Sequence, residues 1–152
     1  MKKVLHIFAV LYLFCSFMPQ DLYAQGVVAG GYNVQKIAEE TLKILQEKKV
    51  LSDKSLGEFE KLLPAEQIDP LASSSSIIDL YDRLGAYLVE RGIASEEDVT
   101  AAKIASAESG GIKIGGYNPV VLSASFLNIL VKKDIISISK AQFILDSSKM
   151  TK

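Results

Sequence analysis

The chain has 152 residues, a formal net charge of −1, one Cys, one His and no Trp. That length allows one domain with a sizeable core. The near-neutral charge offers none of the clustered basic surface that nucleic-acid binding requires.

The first element reads as an export signal. Lys2 and Lys3 precede an apolar run from Val4 to Met18, Pro19 breaks it, and Leu22-Tyr23-Ala24 forms a cleavage site before Gln25. The run is short for a membrane span. Residues 1–24 are therefore expected to be a signal peptide and residues 25–152 a single exported domain, periplasmic or extracellular. Cys15 and His6, the only residues of their kinds, lie within the signal. The remainder has no thiolate nucleophile, no Ser-His or Cys-His couple, no ordinary zinc site and no disulfide. No cofactor and no metal is expected, and no membrane span after signal cleavage.

Asn33 opens the next element, a helix predicted over 34–49, and Ser52 opens a shorter one over 53–63. Both residues suit a helix N-cap, where a side-chain oxygen accepts from an otherwise unpaired backbone N–H. Pro64 to Ser75, with two prolines and a serine run, reads as a loop. Ser76 then caps a helix over 77–91 and Ser95 one over 96–108, with Ser95 and Asp98 loosely forming a capping box. Ser109 to Gly116, rich in glycine, reads as a second linker. Asn118-Pro119 opens a helix over 119–133, since proline suits the first helical position, and Ser137 caps the last, over 138–149.

These elements repeat. Leu45, Leu88 and Leu130 are 43 and 42 residues apart, inside similar stretches that end at Ser52, Ser95 and Ser137. Each unit (about 33–63, 76–108 and 118–149) reads as a long helix, a tight corner and a shorter helix. Gly92 closes the middle corner in the left-handed conformation, with Lys49 and Asp134 in the equivalent places. Apolar residues recur at helical spacing, among them Ile37, Leu45, Leu80, Leu84, Leu88, Leu122, Phe126 and Leu130. The expected fold is all-α, three tandem hairpins packed as a small bundle or short solenoid.

Few motifs carry chemistry. Gly30-Gly31-Tyr32-Asn33 recurs as Gly115-Gly116-Tyr117-Asn118 before a helix. Tyr32, Asn33, Tyr117 and Asn118 are candidate contact residues. The competing reading makes each Asn a cap and each Tyr an apolar staple, packed against Ile37 or Leu122. Ser109 to Gly116 lacks the Gly-Lys-Ser/Thr ending of a phosphate loop. Asp53 to Pro64 lacks the glycine and final glutamate of a calcium loop. The carboxylate pairs Asp79 with Asp82 and Glu96 with Glu97 read as solvated helix faces.

Arg83-Leu84-Gly85-Ala86-Tyr87-Leu88-Val89-Glu90-Arg91-Gly92-Ile93-Ala94-Ser95 resembles the helical-hairpin motif in N-terminal domains of type II secretion and pilus assembly ATPases. The resemblance extends over residues 83–106 and departs from the family pattern at Lys103 and Ser106. It implies a shared hairpin geometry. In members that bind cyclic di-GMP it would also make Arg83, Leu84 and Gly85 face the ligand, so Arg83 joins the candidate residues.

With no reaction mechanism in the residue inventory, the expected function is a non-enzymatic exported module that binds a protein or envelope component. The alternatives are a small-ligand carrier with an apolar pocket between hairpins and, less well supported, a carboxylate-based enzyme.

Overall fold

Among the described residues, five of six helices begin where a capping side chain says they should. In the computed structural model, which describes residues 31–63 and 70–149, the Asn33, Ser52, Ser95, Asn118 and Ser137 side chains each accept a backbone N–H of the first helical turn. They open α1 (Val34–Glu47), α2 (Asp53–Glu60), α4 (Glu96–Glu108), α5 (Pro119–Lys132) and α6 (Ile138–Ser147). Ser95 and Asp98 complete a reciprocal capping box, aspartate serving where glutamate is usual. Ser95→Ala is expected to cost about 0.5–2 kcal/mol and Ser95→Gly less, because glycine tolerates the extended cap geometry. Urea melts of the two variants check this, and alanine proving the milder change would remove the cap's role. The proposed signal, residues 1–24, lies outside the described residues.

The exception is α3, which runs from Pro70 to Glu90. Ser76, expected as a cap at the head of a helix over 77–91, sits instead inside it. The segment 70–75 therefore corrects the linker reading. Proline is at home at N1, and serine is only a few tenths of a kcal/mol (~0.5) poorer than alanine in a helix interior. Once the following turns are packed, adding turns at the N-terminal end avoids the cost of nucleation.

The three corners share one set of bonds. After α1, the N–H groups of Lys49 and Val50 donate to Gln46 O and Leu45 O; after α3, those of Gly92 and Ile93 to Val89 O and Leu88 O; after α5, those of Asp134 and Ile135 to Val131 O and Leu130 O. This is the Schellman pattern, and it needs a left-handed residue at each corner. Lys49 (φ 58°), Gly92 (φ 67°) and Asp134 (φ 57°) occupy those places. Only Gly92 does so without a Cβ penalty.

The described residues form helices, turns and two isolated bridges, with no strand among them. The core lies around α5, which touches α1, α3, α4 and α6. Its buried residues, including Val120, Leu122, Phe126, Leu127 and Leu130, come from nearly all round the helix, as a central element requires. α4 packs chiefly on α5. The small residues Ala102 and Ser106 are buried on α4, and the Ser106 hydroxyl donates to Asn118 O. The end of α6 returns to the start of α1: Asn33 N donates to Ser148 O at 2.7 Å and Lys36 Nζ to Ser147 O at 2.6 Å. No helix among the described residues is long and apolar enough to cross a membrane.

Candidate functional site

Tyr32 and Tyr117 both lean on the core. Tyr32 is only 6% exposed and Tyr117 half-buried, while Ile37 and Leu122, their expected staple partners, are wholly buried. The neighbouring asparagines are occupied. Asn33 Oδ1 accepts from Lys36 N; Asn118 Oδ1 accepts from Val120 N and Val121 N, and its Nδ2 donates to Gly110 O. Gly115 and Gly116, at φ 56° and 90°, form a two-residue turn in which Ile114 and Tyr117 exchange both backbone bonds. Two successive positive φ values define that turn type and call for glycine. Of Arg83, Leu84 and Gly85, only Arg83 is exposed, and the other two are buried in the core.

The strongest electrostatic cluster joins two corners. Asp98 accepts from Ser95 N at 3.3 Å, Lys132 Nζ at 2.6 Å and Lys133 Nζ at 2.9 Å, with 9% of its side chain exposed. Burial alone would raise its pKa. The two ammonium groups and the Ser95 N–H outweigh burial and hold the carboxyl well below the usual carboxylate range. A carboxylate so fully paired is a cap and a tie between α4 and the end of α5, with no free base to offer. The other acids read as candidate pairs behave as a solvated face: Asp79, Glu96 and Glu97 are exposed, and Asp82 pairs with Lys103 at 2.8 Å. Among the described residues no group of three His, Cys, Asp or Glu could hold a metal.

An open concave surface lies elsewhere. The corner between α1 and α2 opens into a groove of about 600 Å³, lined by Gln46, Glu47, Lys49, Val50, Leu51, Ser52 and Asp53. Arg91, just after the end of α3, also lines it. Three contacts order these walls. The Tyr87 hydroxyl donates to Val50 O at 3.1 Å; the Arg91 guanidinium lies 5.1 Å from the centre of the Tyr87 ring; Phe59 meets the same ring edge-on at 5.7 Å. Arginine stacked on an aromatic ring is held without losing its donors. Gln46 Nε2 donates to Asp53 Oδ1 at 3.0 Å.

None of the groove residues was a candidate in the sequence. Lys49 and Arg91 stand where any helix end welcomes a cation, and that sufficed to explain them. The one signal present was Tyr87 and Arg91 at i and i+4 on one helix face. Comparison with protein families, characterised proteins and solved structures found no match.

Proposed function

We propose that this chain is an exported, non-enzymatic binding module, and that the groove at its first corner receives a protein or cell-envelope partner. In this reading three tandem hairpins supply the scaffold, closed into a bundle. The matching bonds at the three corners support the repeat, and the bonds from the start of α1 to the end of α6 support closure, because an open solenoid keeps its first and third units apart. The export signal is residues 1–24.

The observation that carries the proposal is the ordered Tyr87–Arg91 pair at the edge of a wide groove. Tyrosine and arginine dominate the energetics of protein contacts, and side chains already held in place lose less entropy on binding. The one hydroxyl side chain lining the groove, Ser52, is engaged as the cap of α2 and bonds to Ser55 at 2.9 Å.

The test is site-specific crosslinking in the native cell envelope. A photoreactive side chain at Ser52 is expected to capture one discrete partner, and the same group at Glu108, exposed at the end of α4, to capture none. Arg91→Ala should abolish the product from Ser52. Identical products from both positions, or none from Ser52, would overturn the assignment.

A further inference from the structure

We infer that the hydroxyls of Thr41, Tyr81 and Ser123 form a register lock, which holds α1 at one axial alignment against α3 and α5. Each of the three long helices supplies one member, and the three helices touch one another. All three residues are buried to 1% exposure or less, and the Tyr81 hydroxyl is shut off from solvent without an aligned bond. The other two hydroxyl protons are committed within their own helices. Thr41 donates to Ile37 O at 2.7 Å and Ser123 to Pro119 O at 2.8 Å. Both oxygens keep their capacity to accept, and the donor beside them is the one without a partner.

Apolar packing by itself discriminates poorly between alignments of α1. On α3, Leu80, Leu84 and Leu88 stand a turn apart and are wholly buried, so a slip of one turn, about 5.4 Å, exchanges leucine for leucine. Gly85 seats α3 against Val99 and Phe126, on α4 and α5. α1 has no glycine, and its buried residues other than Thr41 are aliphatic. One turn either side of Thr41 lie Ile37 and Leu45, and one turn either side of Ser123 lie Pro119 and Leu127. In a slipped arrangement the Tyr81 hydroxyl would meet these apolar side chains, and a buried donor facing only hydrocarbon is costly. The cluster therefore acts on uniqueness more than on stability, as a single buried polar residue does between coiled helices. Alignment matters at the first corner, whatever the groove receives. Tyr87, on the same helix as Tyr81, donates to Val50 O just after α1, and a slip of one turn would break that bond and part the corner from Arg91.

The experiment compares the parent with two variants by thermal melting and by the amide spectra of isotope-labelled protein. Thr41→Val with Ser123→Ala leaves the Tyr81 hydroxyl among apolar groups, and Tm should fall by about 5 °C or more. Adding Tyr81→Phe removes the stranded donor, so the triple variant should melt within about 3 °C of the parent, or above it. Its amides over residues 41–50 should nevertheless split into several peaks or broaden by exchange. The contact between the Tyr87 ring and Val50 should lose intensity with them. The parent should give one sharp peak per residue. A triple variant with one sharp set of peaks and an intact Tyr87–Val50 contact would overturn the inference. A double variant melting with the parent would do the same, since Tyr81 would then not depend on the two hydroxyls. So would a triple variant melting as low as the double, because the three groups would then act separately.

Discussion

Gly85→Leu is expected to destabilise the fold by about 3 kcal/mol or more, although leucine is the better helix former by close to 1 kcal/mol. Leu42 and Leu127, at the same place in the flanking hairpins, are themselves leucines and fully buried. At Gly85 that space is taken. A Cβ there would lie 2.8 Å from Val99 Cγ1 and 3.2 Å from the Phe126 ring, closer than carbon atoms pack. Gly85→Ala samples the same conflict at smaller scale, and overpacking should outweigh the helical gain, leaving a net loss of about 1–2 kcal/mol. Urea unfolding measures both. If Gly85→Ala stabilises the protein by the full helical increment, Val99 and Phe126 yield, and the close approach of α3 to α4 and α5 is looser than described. Adding Val99→Ala to Gly85→Ala should recover part of the loss, because the two sites share one contact.

Tyr81 should govern alkaline unfolding. Its ring is wholly buried on α3, tilted against Phe126 at a centroid distance of 4.8 Å, and its hydroxyl lies beside those of Thr41 and Ser123 without a well-aligned bond. Those two hydroxyls donate to the carbonyls of Ile37 and Pro119 in their own helices. Burial is the main cause that pushes the phenol up to about 12, and the neighbouring hydroxyls pull it back only in part. Above pH 10 the unfolded chain releases this proton and the folded chain keeps it, so stability falls as pH rises through the interval from 10 to 12. The loss should reach about 2 kcal/mol by pH 12. Tyr81→Phe removes the ionisation, so its stability should decline less over that interval, and parallel decline in the two proteins would refute the buried phenol. At neutral pH Tyr81→Phe should lie within about 1 kcal/mol of the parent, since the hydroxyl lost had no aligned partner. Tyr81→Ala should cost about 3–5 kcal/mol through the cavity it leaves.

Much of the local architecture was legible in the residues. Asn33, Ser52, Ser95, Asn118 and Ser137 mark helix starts because a cap is a bond to a donor two or three positions away. Lys49, Gly92 and Asp134 mark the corners for a similar reason, and there the spacing of Leu45, Leu88 and Leu130 outweighed the poor fit of lysine to a left-handed backbone. Ser76 failed as a cap because helix starts also depend on what is already packed downstream.

What only the tertiary structure decided is which surfaces meet. Gly85 looked like part of a ligand-facing motif until Val99 and Phe126 appeared over it. Arg91 looked like an ordinary cation at a helix end until α3 brought it to the first corner. Caps and corners close over a handful of residues, so the residue types present there fix them. Contacts between α1, α3 and α5 join positions one or two repeats apart in sequence, and the same apolar spacing that buries each helix is compatible with several neighbours. The choice among those neighbours is made by the volumes that must share one core: a glycine beneath a phenylalanine, and a tyrosine where the matching residues, Ala38 and Ser123, are small.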